Sequence, residues 1–103
     1  MSRASIVSHG ESRFAVEGSL DFESVVTLAE EGRRLFSGPG VLEVDLLGVS
    51  EANSAGLALL LEWLDIARGR KLELRFRNLP GPLSRLAELT NLRGLLPVSD
   101  GGV

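Results

Sequence analysis

Segments with strand periodicity alternate with segments with helical periodicity along this chain, and that alternation limits the possible folds more than any other feature. Two short alternating segments, Ala4–Ser8 and Arg13–Glu17, flank a linker that contains Gly10, which is typical of a β-hairpin. Helical and strand patterns then alternate, so the predicted order is β-β-α-β-α-β-α. Two successive strand–helix–strand units imply parallel pairing. We therefore predict an α/β fold with a mixed β-sheet, an N-terminal hairpin and helices packed around the sheet.

The boundaries of the later elements follow from apolar spacing and from capping residues. Asp21 is a good N-cap for the first helix, and Pro82 suits the first turn of the third. We expect a single domain over residues 1–103, with an ordered core at about 4–97 and a flexible tail at Ser99–Val103. The other predicted elements are a first helix over 22–36, a strand at Val41–Leu47, a helix at Ser54–Arg68, a strand at Leu72–Phe76, a helix ending near Asn91 and a short element at Leu92–Pro97.

The residue types needed for most catalytic chemistry are scarce. The chain has no cysteine and one histidine, His9, which lies in a predicted turn where solvation is the simplest interpretation. The Gly38-Pro39-Gly40 segment lacks the lysine and helix of a phosphate-binding loop. A net charge of -3 with scattered basic residues does not indicate nucleic-acid binding. We therefore expect no enzyme activity, no metal, no cofactor and no nucleic-acid partner.

No segment of the sequence has the pattern of a membrane span or a signal peptide. Met1–Gly10 lacks a long apolar core, and the longest apolar run, Ala55–Leu61, is far shorter than the roughly 18 residues of a span. We expect a cytoplasmic protein whose connection to any membrane is through a partner.

The segment Val49–Leu61 passes from a strand through a polar turn into an unusually apolar helix. Ser54 stands at the predicted helix start, where free backbone N–H groups and the helix dipole favour an anion. One interpretation is that Ser54 is a regulatory hydroxyl that accepts a phosphate. The other, which the residues favour, is that Asn53 or Ser54 is only the N-cap.

The second helix carries two apolar stripes instead of one. At 100° per residue, one stripe holds Leu57, Leu60, Leu61 and Leu64, and the opposite one holds Ala55, Leu59 and Ile66 with Trp63 at its border. Either the helix is buried on both sides, or its outer face binds another protein. A helix covered on both sides is hard to build in 103 residues, so we favour the partner surface.

The Asn53-Ser54-Ala55-Gly56 turn, the segment Leu86–Leu92 and the order of elements together resemble a STAS domain. The resemblance covers about Ile6 to Pro97, which implies a STAS-like fold of the SpoIIAA type. Two stretches, Ser54–Ala67 and Leu74–Pro80, are most similar to the branch that contains MlaB, the small subunit of the Mla phospholipid ABC transporter.

The resemblance to that branch implies a non-catalytic subunit that binds, stabilises and tunes the ATPase (nucleotide-binding) subunit of a phospholipid ABC transporter. Through it the protein would associate indirectly with the inner-membrane permease and help to maintain outer-membrane lipid asymmetry. The expected contact residues are Asn53, Ser54, Ala55, Leu59, Glu62, Trp63 and Ile66.

Another branch of the family supplies the alternative function. In anti-sigma factor antagonists an Asp-Ser-Ser/Thr-Gly motif carries a serine that a kinase phosphorylates. Ser54 falls on that serine, but Asn53 stands where the motif has its acidic residue. A small-molecule sensor ranks last, because the second helix offers no convergent set of polar groups.

Overall fold

The computed structural model describes residues 4–10, 12–38 and 40–98, and it has the predicted order of elements. The proposed flexible tail, Ser99–Val103, lies outside the described residues. The elements are β1 (Ser5–Ser8), β2 (Arg13–Leu20), α1 (Ser24–Leu35), β3 (Gly40–Ala52), α2 (Ser54–Gly69), β4 (Leu72–Arg77), α3 (Gly81–Leu89) and a 3₁₀ turn at Arg93–Leu95.

The four strands form one mixed sheet in the order β1-β2-β3-β4. β1 and β2 are an antiparallel hairpin, whereas β2–β3 and β3–β4 are parallel pairs. Right-handed crossovers between neighbouring parallel strands place α1 and α2 on the same face of the sheet. Burial agrees, because alternate residues of β4 (Leu72, Leu74 and Phe76) are buried while those between them are exposed or half-buried. The other sheet face remains open to solvent.

β2 and β3 are longer than the sequence pattern predicted, because they pair with each other beyond their apolar cores. β2 continues to Leu20, which pairs with Ala52, and Asn53 donates its backbone N–H to the Leu20 carbonyl at 3.2 Å. The register shifts twice along this pair. β3 continues to Ala52, beyond its predicted end at Leu47 and into the part of Val49–Leu61 where a polar turn was expected. Polar residues are tolerated there because that stretch of β3 is largely exposed.

Helix α2 is packed on both apolar stripes, since it contacts α1, α3, β3 and β4. Ala55, Leu59, Trp63 and Ile66 are between 0% and 8% exposed. The prediction that this stripe faces outward is therefore wrong. A chain of this length covers both sides of the helix, because α1 lies against this stripe.

Trp63 anchors the contact between α1 and α2. Its indole Nε1 donates a hydrogen bond to the Leu28 carbonyl of α1 at 3.2 Å, and its ring meets Phe36 edge-on with centroids 5.4 Å apart. Gly32 makes this approach possible, because a Cβ there would lie 2.2 Å from Nε1. Gly56 has the same role at the start of α2, where a Cβ would lie 3.1–3.3 Å from Leu20 and Leu83.

Candidate functional site

The loops that follow β2 and β3 meet at the carboxyl ends of these parallel strands, beside the start of α3. They enclose a shallow open cleft of about 380 Å³. Two carboxylate residues, Asp21 and Glu51, lie on its wall, whereas none of the lining residues is basic. The cleft is lined by Ser19, Leu20, Asp21, Ser50, Glu51, Ala52, Asn53 and Pro82.

Asn53 and Ser54 have different roles at the start of α2. Asn53 is extended, and its side-chain Oδ1 accepts a hydrogen bond from the Ala55 backbone N–H at 2.8 Å. Asn53 is therefore the N-cap, one of the two possibilities that the sequence left open. Ser54 is exposed, and its hydroxyl makes no hydrogen bond to any residue that the structure describes. Asn53, and not Ser54, therefore caps α2.

Asp21 and Ser24 build the neighbouring loop by capping each other. The Asp21 carboxylate accepts from the backbone N–H groups of Ser24 at 2.9 Å and Glu23 at 3.0 Å. In return, the Ser24 hydroxyl accepts from the Asp21 N–H and donates to the Ser19 carbonyl at 2.7 Å. The Ser24 N–H, aided by that of Glu23, lowers the pKa of Asp21 against an opposing effect of desolvation. Asp21 thus accepts hydrogen bonds from backbone N–H groups at the start of α1, as predicted, although α1 begins at Ser24 and its N-cap residue is Glu23.

Two large apolar side chains stand exposed on the same loop and the first turn of α1. Phe22 is 70% exposed and Val26 is 66% exposed. Glu23 has helical dihedral angles and the Val25 N–H donates to the Asp21 carbonyl at 3.0 Å, so the turn before α1 is helical and Phe22 and Val26, four residues apart, project from the same side. Neither belongs to the stripe with which α1 packs on the core, which includes Leu28 and Gly32.

These two side chains lie level with the start of α2. Both helices connect parallel strands and so run in the same direction, and Gly32 of α1 packs against Trp63 of α2. At equal rise per residue, Val26 is then level with Leu57, the neighbour of Ala58, and Phe22 with Asn53, the neighbour of Ser54. The exposed ion pair between Arg33 and Glu62, 3.1 Å apart, shows that these flanks of the two helices face each other.

We call the group formed by Phe22, Val26, Ser54 and Ala58 the α1–α2 patch. All four residues are exposed. It is apolar except for the Ser54 hydroxyl, and the acidic cleft adjoins it at Asn53.

The structure separates the seven residues predicted to contact a partner into two groups. Asn53, Ser54 and Glu62 are exposed near the α1–α2 patch, and whether they contact a partner stays a prediction. The other four are buried, so they do not form a surface in this fold: Ala55, Leu59, Trp63 and Ile66.

Three residues of the α1–α2 patch were not among the contact residues predicted from the sequence: Phe22, Val26 and Ala58. The signal for the first two was an apolar pair at helical spacing that lies off the core stripe of α1.

Two kinds of site are absent from the described part of the chain: metal clusters and membrane-spanning helices. Among residues 4–10, 12–38 and 40–98, no three His, Cys, Asp or Glu side chains are grouped so that they could hold a metal ion. Within the same residues, no helix combines the length and apolarity needed to cross a membrane.

Comparisons with known proteins agree with the geometry of the fold. The family model described as Mlab, STAS domain, matches residues 6–97. The structure of the anti-sigma factor antagonist SpoIIAA in its unphosphorylated form superposes with a TM-score of 0.69 at 10% identity, covering 95% of this chain and 89% of SpoIIAA. An anti-sigma-factor antagonist (STAS) domain protein from Planctomyces limnophilus gives 0.70 at 15% identity, with coverage of 95% and 89%. No curated protein sequence matches. At these identities the two structures show a shared fold.

Proposed function

The chain belongs to the STAS domain family, and from that premise we propose that it is a regulatory subunit of a phospholipid ABC transporter of the Mla type. STAS domains are generally binding and regulatory modules without catalysis. In this role the protein binds the transporter's ATPase subunit on the cytoplasmic side of the inner membrane, stabilises it and tunes its activity. It thereby contributes to outer-membrane lipid asymmetry without binding ATP or lipid itself.

The observation that carries this proposal is the α1–α2 patch. A partner that covered Phe22 and Val26 would remove their exposed apolar surface from water, and both residues lie beside the exposed Ser54 hydroxyl. Large exposed aromatic side chains are the type of residue on which binding energy concentrates. The family model that matches the chain is named for MlaB, which supports the choice of the transporter branch of the family.

The acidic cleft next to the patch defines the chemistry of the partner surface. Asp21 and Glu51 on its wall favour basic side chains on the protein that covers it. We therefore expect an ATPase surface with an apolar side chain that packs on Phe22 and Val26, flanked by Lys or Arg residues. Association should accordingly slow at high ionic strength.

A second candidate function is that of an anti-sigma factor antagonist switched by phosphorylation of Ser54. It is favoured by the exposed Ser54 hydroxyl, which makes no hydrogen bond within the described residues, and by its position at the N-terminal end of α2. The two compared structures are of such antagonists. Against it, Asn53 replaces the acidic residue of the antagonist motif, and Asp21 and Glu51 are unfavourable neighbours for a phosphate.

An affinity pull-down of the tagged chain from its native cytosol and solubilised membranes, followed by mass spectrometry, distinguishes the two functions. We expect an ABC ATPase and its permease to be recovered with the wild-type chain and lost with Phe22→Asp. Recovery of a serine kinase instead, together with a mass increase of one phosphate after incubation with that kinase and ATP, would contradict the transporter role. Ser54→Ala should then abolish the mass increase.

A further inference from the structure

Strand β1 is the first strand in the order of the sheet, and no other strand within residues 4–10, 12–38 and 40–98 pairs with its outer side. The His9 N–H donates to the Arg13 carbonyl at 2.8 Å, and the pairing continues through Val7 with Ala15 and Ser5 with Glu17. In an antiparallel pair, hydrogen-bonded and non-hydrogen-bonded positions alternate. The N–H and C=O groups of Val7 therefore face β2, whereas those of Ile6 and Ser8 point away from the sheet.

The two edges of the sheet, β1 and β4, differ in whether other described residues pair with their outer sides. On β4, the Phe76 N–H donates to the Pro97 carbonyl at 2.8 Å, and Val98 forms a bridge with Phe76, so the last described residues pair with that edge at Phe76. β1 has the sequence Ser-Ile-Val-Ser, with no charge and no proline, and its register with β2 is regular. Charges, prolines and bulges are the usual means of preventing an edge from pairing, and β1 uses none of them.

We propose that the β1 edge binds a second copy of this chain, with the two β1 strands antiparallel about a two-fold axis at Val7. In this register, Ile6 of each copy lies opposite Ser8 of the other copy. Each of these two pairs exchanges two N–H···O=C hydrogen bonds through the outward backbone groups, which gives four hydrogen bonds in total. Val7 then lies opposite Val7 of the second copy as a non-hydrogen-bonded pair, with Cα atoms about 4.5 Å apart.

The edge suits a second copy because nothing on it repels an identical strand. Ser5–Ser8 is uncharged, so no like charges meet across the axis. Val7 is 42% exposed on the open sheet face, and the pairing would cover it with an identical apolar side chain. This surface is separate from the α1–α2 patch, so the inference goes beyond the proposed function and does not depend on it.

The dimer should be weak, because a four-residue strand buries less than the roughly 1,200 Å² typical of stable complexes. Analytical ultracentrifugation of the purified chain should show monomers at low concentration and reversible dimers at about 100 µM and above. Val7→Lys should lower the association constant at least about tenfold by placing like charges directly opposite each other. Val41→Lys is the matched control, because Val41 is 49% exposed on the same open face but lies on the inner strand β3.

Disulfide formation tests the register itself. The chain contains no cysteine, so Val7→Cys introduces a single thiol. It should form interchain disulfides much faster than Ser5→Cys, because the opposed Cα atoms at position 7 are within disulfide range while those at position 5 are not. A wild-type chain that stays monomeric at about 1 mM, or equal crosslinking of the two variants, would overturn the proposal.

Discussion

Single residues decide how closely the helices of this protein approach each other. Gly32 and Trp63 show this most clearly, because the indole occupies the space that any side chain at position 32 would need. The result is a buried Trp63 whose polar atom is paired with the Leu28 carbonyl and whose ring contacts Phe36. Both the packing and the hydrogen bond depend on the missing Cβ.

Gly32→Ala should destabilise the protein by about 1–3 kcal/mol, because the new methyl group forces Trp63 away from α1. Trp63 is the single tryptophan, so its fluorescence reports unfolding directly in urea titrations. Gly69→Ala, at the exposed end of α2 where a Cβ meets nothing within 4 Å, is the matched control. Equal stability of the two variants would show that Trp63 does not need the space at position 32.

Asp21 makes the stability of the protein sensitive to acid. Its pKa in the folded protein lies below the ordinary value of 3.8, chiefly because the Ser24 N–H binds the charged form. Between the two pKa values the unfolded chain binds more protons, so this contribution is present above the unfolded-state pKa and is lost as pH falls through the folded-state pKa.

Asp21→Asn keeps an oxygen acceptor for the cap but has no charge to titrate. We therefore expect the wild type to lose stability relative to Asp21→Asn as the pH is lowered through about 4 and below. Urea midpoints measured at pH 7, 5, 4 and 3 provide the comparison. Parallel curves for the two proteins across that range would exclude Asp21 as the source of the acid sensitivity.

At the scale of elements, α2 is organised by its neighbours more than by its own sequence. It contacts two helices and two strands, and only a narrow stripe that includes Ser54, Ala58, Glu62 and Asp65 reaches solvent. Leu59 and Ala58 are adjacent in the chain yet lie on opposite sides of this boundary.

The substitutions Leu59→Asp and Ala58→Asp test this boundary with the same new side chain. Leu59→Asp should lower the free energy of unfolding by more than about 3 kcal/mol, because it leaves an unpaired carboxylate in the core. Ala58→Asp should change it by about 0.5 kcal/mol or less. Circular dichroism during thermal unfolding measures both changes. A wild-type melting temperature for Leu59→Asp would show that the stripe with Leu59 faces solvent and not the core.

The order of elements could be predicted from sequence because each segment has a distinct period and recognisable ends, such as Asp21 and Pro82. The orientation of α2 could not be predicted, since apolar residues on both sides of a helix are compatible with burial of both sides and also with one side that binds a partner. The exposed group at Phe22 and Val26 was missed for a related reason. A pattern shows which residues share a face, but the packing of α1 against Trp63 determines which face remains outside.

At the scale of the whole molecule, the proposed binding surfaces are distributed around one sheet. Helices cover one face, and the loops after β2 and β3 bring the acidic cleft beside the α1–α2 patch. The β1 edge lies at the other end of the strand order from β4 and its covering segment. In the proposed role, the patch binds the transporter ATPase while β1 remains available to a second copy.

The most direct test of this account is the affinity of the purified chain for the purified ATPase subunit, measured by isothermal titration calorimetry. We expect Phe22→Asp to weaken binding at least about tenfold, as for a residue at the centre of an interface. Val41→Asp is the control, because it introduces the same charge at an exposed site on the open sheet face. Its affinity for the ATPase should be within about twofold of the wild-type affinity. Wild-type affinity in Phe22→Asp would contradict the assignment of the α1–α2 patch, and no binding by the wild type would contradict the proposed partner.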